Sequence, residues 1–189
     1  MTGVTLKHVW KTFQGAPAVT DVTLTLTPGR PVCLMAPSGA GKTTLLRLLL
    51  GLEQPDRGEI RVPPGWRWSA VFQEDRLLDH LDAWGNLRFV LGTVPDGAPA
   101  LLEALGLSEA ADRKAALYSG GMRRRLALAR ALLAPFDGLV LDEPFTGLDG
   151  AARERCLACV RRAAAEKVLV LSSHDPADAA GLSAEILRL

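Results

Sequence analysis

No stretch constrains this chain more than Ala36-Pro37-Ser38-Gly39-Ala40-Gly41-Lys42-Thr43. Before it, Pro31 to Ala36 reads as a buried strand; after it, Leu45, Leu46, Leu48, Leu49 and Leu50 give a mostly buried helix that stops at Gly51. Small residues between a strand and a helix let successive backbone N–H groups turn inward. The helix adds its positive N-terminal end, so an anion in the loop meets donors rather than carbonyls. The spacing is that of a GxxxxGK-S/T phosphate loop, with Ala36 in the place of the first glycine. Lys42 is then placed to reach β and γ phosphates, and Thr43 to put its hydroxyl on Mg²⁺, a hard cation that prefers oxygen ligands. The methyl of Ala36 restricts the backbone if that position needs a left-handed conformation. A glycine-containing turn with an incidental lysine is the competing reading; the strand–loop–helix context argues against it.

Val22, Leu24 and Leu26 alternate with Thr23, Thr25 and Thr27, the period of a half-buried strand, and Pro28-Gly29 then turns the chain. Gln54 to Gly58 reads as a turn. Short strands follow at Glu59 to Val62, Ser69 to Phe72, Gly138 to Leu141 and Val168 to Ser172, with a final one around Ile186. The alternation of strand and helix around Val32, Val140 and Val170 argues for a mainly parallel sheet with helices packed on it. Between Glu74 and Tyr118 the strand signal gives way to an Ala/Leu-rich helical pattern, interrupted at Thr93 to Pro99. This reads as a helical insertion over about 75–120. The expected organisation is a single domain over 1–189 with no C-terminal regulatory domain.

With 48% hydrophobic and 23% charged residues in 189, the chain has the apolar material for a real core, which excludes a disordered chain. A net charge of +1 exerts no global pull on nucleic acid or an anionic membrane. The apolar run Leu45 to Leu52 is broken by Arg47 and is far shorter than the roughly 18 residues of a membrane span. Met1 to Trp10 lacks the features of a signal peptide. A cytoplasmic location is therefore expected. Cys33 sits in an apolar run, while Cys156 and Cys159 have CxxC spacing within a helical pattern; with no second Cys or His cluster, packing is favoured over a metal or redox role.

Leu139-Val140-Leu141 is an apolar strand ending in Asp142-Glu143-Pro144, so two acids leave the sheet at a carboxyl end, where α/β sites form. Alone, these residues could simply open a loop. Beside a phosphate loop they suggest a shared site in which Asp142 holds Mg²⁺ through a water and Glu143 polarises an attacking water. Tyr118-Ser119-Gly120-Gly121-Met122 precedes a long helical pattern: Ser119 reads as an N-cap, and Gly120-Gly121 leaves N–H groups open to an anion. Arg123, Arg124 and Arg125 form a charge run, read in part as a solvated face.

These residues resemble the signature motif and helix of ABC transporter ATP-binding subunits, and Asp142-Glu143 resembles that family's Walker B motif. The resemblance extends from Leu6 to His174 with the motifs in family order. It implies an α/β fold: a P-loop NTPase core with a mainly parallel sheet, an antiparallel β subdomain at the N-terminus and an inserted α-helical subdomain. It implies ATP and Mg²⁺ as cofactors and an ATPase whose hydrolysis drives transport. ATP contacts are expected from Ser38, Gly39, Ala40, Gly41, Lys42, Thr43 and Thr44, with Phe13 stacking on adenine, although Phe13 or its neighbour Trp10 could instead pack in the amino-terminal sheet. Thr43, Gln73 and Asp142 would contact the metal, and Glu143, His174 and Gln73 would be catalytic. Gln73, in Val71-Phe72-Gln73-Glu74 with Leu77-Leu78 continuing to Asn86, is similar to the Q-loop glutamine beside which the family docks its membrane partner. His174, in Ser172-Ser173-His174-Asp175-Pro176, is similar to the switch histidine of the γ-phosphate; His8 and His80 lack such context.

By the same resemblance, Ser119, Gly120, Gly121 and Met122 contact the ATP of a partner subunit. Asp149 of Thr146-Gly147-Leu148-Asp149 couples the two sites. Tyr118 and Met122 depart from the usual LSGGQ, with Ser-Gly-Gly intact. The implied partners are a second copy or a paired ATPase subunit, integral membrane transporter subunits and, in some systems, a solute-binding protein; no nucleic acid is implied. The chain would sit peripherally on the inner face of the cell membrane. A soluble ABC ATPase of translation or DNA repair would show tandem cassettes or a long coiled coil, and a sensor that binds ATP without turnover is suggested only by Ala36 and Met122. Val71 to Leu78 resembles importers of nitrate, sulfonates and taurine, although solute selectivity belongs to other subunits.

Overall fold

The computed structural model of this protein describes residues 3–189; residues 1 and 2, part of the stretch read for a leader, lie outside it. In chain order the elements are β1 (Val4–Phe13), β2 (Ala16–Leu26), β3 (Val32–Met35), α1 (Lys42–Leu49), β4 (Arg57–Arg61), β5 (Trp68–Val71), α2 (Ala83–Leu91), α3 (Ala98–Ala104), α4 (Gly120–Leu133), β6 (Gly138–Asp142), α5 (Gly150–Ala163), β7 (Val168–Ser172), α6 (Pro176–Gly181) and β8 (Glu185–Arg188). The central sheet runs β5-β6-β7-β3-β8, and its paired strands are all parallel. All its carboxyl ends therefore open on one side. A second sheet, β2-β1-β4, is antiparallel.

The central strands are buried on both faces, which is why they read as continuous apolar runs rather than as alternating ones. Period-two geometry then divides each strand between two cores. Val32, Leu34, Val140, Val168 and Val170 face the leucines of α1 and the inner side of the antiparallel sheet. Cys33, Leu139, Leu141, Leu169 and Leu171 face Leu126 and Leu128 of α4 and Val160 of α5. Each fully buried leucine in these layers stabilises the fold by about 1.5–3 kcal/mol.

Strand β1 was not readable as alternation because it is bulged: its register shifts between Leu6 and Val9 and again twice beyond, and His8 sits at φ +50°. Buried Val4 and Leu6 are two residues apart, but the next buried residue is Val9. Between β5 and α4 the chain is helical or irregular. The Asp82 side chain caps α2 by accepting from the Gly85 N–H, and Gly92 closes that helix. Fully buried Asn86 accepts from Leu78 N–H and donates to the carbonyls of Leu78 and Asp82, fastening the preceding loop to α2. All three cysteines are buried and free. Burial pushes the Cys156 thiol up to about 12 and the Cys33 thiol up to about 11, so the CxxC pair is packing material in α5.

Candidate nucleotide site

A cleft of about 620 Å³ lies at the carboxyl ends of β3, β6 and β7, with the start of α4 on its other side. Ser38, Gly39, Gly41, Lys42, Thr43 and Thr44 line one wall. Gly41 stands at φ +88°, and a Cβ there would lie 1.8 Å from the Ala18 carbonyl oxygen of β2. Only glycine fits where the loop presses against that strand. Ala36 has no positive φ. The left-handed conformation that would have made its methyl a hindrance is not used. Its carbonyl has a different use: Lys42 Nζ donates to Ala36 O at 2.6 Å and to Pro37 O at 3.2 Å, curling the loop around a nearly buried ammonium.

The second wall is the end of β6. Asp142 is 3% exposed; its Oδ2 accepts from Thr43 Oγ1 at 2.8 Å and its Oδ1 from Ser172 Oγ at 2.6 Å. Ser172 Oγ in turn accepts from Glu143 N–H at 3.0 Å. Glu143 has φ +50°, a conformation rare for a residue with a Cβ. Its Oε1 approaches His174 Nε2 to 2.8 Å at ion-pair distance, but without hydrogen-bond alignment, so Oε1 keeps no hydrogen-bond partner. Thr43, Gln73, Asp142, Glu143 and His174 thus share one cleft. The Thr43 hydroxyl and the Asp142 carboxylate touch, and Gln73 lines the same cleft, so the three offer hard-oxygen donors with a single carboxylate among them. No group of three metal-ligating His, Cys, Asp or Glu side chains occurs among the described residues. That donor set fits Mg²⁺, which takes few protein ligands when phosphate oxygens and water complete its shell.

The third wall belongs to α4. Ser119 Oγ caps the helix by accepting from Met122 N–H at 3.3 Å, and Gly120 and Gly121 line the cleft; Ser119 and Met122 do not. Both departures from the signature pattern serve packing. Tyr118 is buried with its hydroxyl donating to Ala110 O at 2.7 Å, and Met122 packs against the large core. Thr146 and Gly147 reach the cleft, whereas Asp149 caps α5 by accepting from Ala152 N–H at 2.8 Å. Phe13, 44% exposed at the end of β1 with Lys11 Nζ 5.4 Å from its ring centre, lies off the cleft. Ala40 lies beside it, in a smaller depression against β2.

The arginine run is not a solvated face. Arg123 binds Asp79 at 2.7 Å, Arg125 donates to the carbonyls of Leu105 and Gly106, and Arg124 is 5% exposed in the cleft wall. Sequence reasoning missed Arg124 and Asp75 as cleft residues. The signal was present: positions 124, 127, 128 and 131 form one helical stripe, and all four are buried.

Residues 19–146 match the family described as ABC transporter. The chain is 36% identical to the aliphatic sulfonates import ATP-binding protein SsuB 1 of Rhodococcus jostii, over 100% of this chain and 80% of that protein. It is 38% identical to SsuB of Granulibacter bethesdensis, over 98% and 79%. It is 40% identical to the taurine import ATP-binding protein TauB of Pseudomonas aeruginosa, over 71% and 56%. Among solved structures it is similar to an ATP-binding subunit of an ABC transporter, with TM-score 0.88, 25% identity and coverage of 100% and 86%. A dimeric bacterial ABC transporter cassette superposes with TM-score 0.86, 26% identity and coverage of 98% and 94%.

Proposed function

From the premise that this chain belongs to the ABC transporter family as one of its ATP-binding subunits, we propose that it acts as the ATP-driven half of a sulfonate- or taurine-type importer. In this reading two copies associate head to tail, and each ATP lies between the phosphate loop of one and Ser119 to Met122 of the other. Lys42, released from the carbonyls of Ala36 and Pro37, binds the β and γ phosphates. Thr43 and Gln73, with Asp142 through a water, would hold Mg²⁺, which when bound would supply charge neutralisation for those phosphates. Glu143 orients and deprotonates the attacking water, and His174 holds the γ-phosphate on the same side. Phe13 would reach adenine from the margin of the cleft, Asp149 would couple the two sites across the dimer, and 75–120 would act as the helical subdomain.

The observation that carries this reading is the continuous chain of contacts from Thr43 through Asp142 and Ser172 to Glu143 and His174. It joins Thr43, read here as a metal ligand, to Glu143, read as the base, across two strands. No helix among the described residues is long and apolar enough to cross a membrane, so membrane subunits would supply the path. The groove beside Phe72, with Phe89 70% exposed and Val90 52% exposed on its rim, is where they would dock, on the cytoplasmic side. A solute-binding protein would deliver the solute. The sulfonate or taurine assignment is supported by the names of the relatives and by Val71 to Leu78.

Glu143→Gln tests the mechanism. It keeps the volume and removes the base, so turnover falls about 10²-fold or more while an ATP-bound dimer accumulates, seen by gel filtration with ATP. Hydrolysis at the parental rate without such a dimer would show that Glu143 is not the base.

A further inference from the structure

Strands β5 and β6 pair in parallel through Val71 opposite Leu141, and no further rung joins them. Gln73 and Glu143 are carried by the two ends beyond that rung. The Phe72 and Glu143 carbonyls there lie beyond the ladder and are partly buried; Glu143 O accepts a long backbone bond from Thr146 N–H at 3.4 Å, and a carbonyl withdrawn from water and poorly met by donors is costly. Arg124 of α4 fills the fork: Nη1 donates to Phe72 O at 2.6 Å and to Asp75 Oδ1 at 3.2 Å. Nη2 donates to Glu143 O at 2.7 Å and to Asp142 O at 3.2 Å. The positive φ of Glu143 belongs to the same arrangement.

We infer that Arg124 is a positioning residue that sets the spacing between Gln73 and Glu143 and ties both to the helix carrying Gly120 and Gly121. This rests on the reading of Glu143 as the base. A planar guanidinium has separate nitrogens aimed at the two strand ends; an ammonium is a single point of donation and an amide offers one nitrogen. Lysine or glutamine at 124 can donate to two carbonyls, as Lys42 and Asn86 do elsewhere in the chain, but only from one atom. Neither therefore reproduces the spread of four bonds over two nitrogens by which Arg124 holds the strand ends at their spacing. Because α4 also bears the glycines at the cleft, the fork turns the orientation of that helix into the relative placement of two cleft residues. Arg124 itself touches backbone and Asp75 rather than reacting atoms.

The test compares Arg124→Lys, Arg124→Gln and Glu143→Gln in the full chain, at concentrations where turnover per chain no longer rises. ATP affinity is measured with a fluorescent analogue and turnover with ATP and Mg²⁺. Misplacing a reacting group by about 1 Å costs up to about 10²-fold, so both Arg124 variants are expected to lose about 10- to 100-fold in kcat. Their affinity for the analogue should stay near the parent's. Thermal unfolding of Arg124→Lys, which keeps charge and length, shows that a folded chain is being assayed. Parental kcat in Arg124→Lys, or affinity falling in proportion to kcat, overturns the inference. Glu143→Gln separates the two readings: its loss of turnover beside an active Arg124→Lys removes only the role of Arg124, whereas its retention of turnover removes the base assignment first.

Discussion

Ala36 holds an ordinary backbone conformation, while Glu143, at the end of β6, sits at φ +50°. A strained residue of this kind costs about 1–3 kcal/mol and persists only where neighbours over-determine it. Here the N–H of Glu143 is held by Ser172 Oγ and its carbonyl by Arg124. No comparable demand falls on Ala36, whose carbonyl, not its side chain, serves the loop. Ala36→Gly is therefore expected to leave ATP affinity unchanged and to lower stability by about 0.4–1 kcal/mol through the freer unfolded chain. Nucleotide titration and thermal unfolding check both; a large gain in affinity would restore the idea that the alanine compromises the loop. Met122 likewise loses its force as a sign of a non-hydrolysing sensor, because its side chain packs against the core.

Among the elements, β1 depends on contacts from outside itself. Its end is tied to the turn after α1 by Asp56, which accepts from Thr12 N–H and Thr12 Oγ1, both at 2.7 Å, and from Lys11 Nζ at 3.0 Å. The Thr12 hydroxyl, then the Thr12 amide and Lys11, hold the Asp56 carboxyl down to about 2 from 3.8. A depressed carboxyl stabilises the fold above its unfolded pKa, and that contribution is lost as pH falls through about 2. Thr12→Val should raise the Asp56 titration midpoint and make the chain less stable than the parent at pH 6, with the two converging in strong acid. Denaturant unfolding across pH reads this out; a gap independent of pH would assign the effect to packing. Where elements were legible, the reason was local: α1 and β7 follow from apolar period and flanking glycine or polar residues. The bulges of β1 come from its pairing with β2 and β4, and no local pattern encodes them.

At the scale of the whole molecule, five parallel strands bring residues distant in sequence to one end of the sheet; Thr43 and Asp142 meet across 99 positions. The opposite side of α2 is left with Phe89 and Val90 exposed beside Arg76, whose guanidinium lies 4.0 Å from the Phe72 ring centre. Phe89→Ser should change stability by no more than about 0.5 kcal/mol, as surface substitutions do, and leave ATP binding by the isolated chain intact. It should reduce co-purification with the membrane subunits; undiminished assembly would move the docking surface elsewhere. The sequence by itself determined which residues carry the phosphate loop, the paired acids and the capped glycines, and where His174 follows its strand. Each of these is a short run whose chemistry and backbone preference are local. Only the tertiary structure decided that Arg124 is buried between two strand ends, that Glu143 takes a left-handed conformation, that Tyr118 and Met122 serve the core, and that Phe13 stands off the cleft. Those outcomes depend on partners far along the chain, such as Phe72, 52 positions from Arg124, and on which face of an element the packing covers.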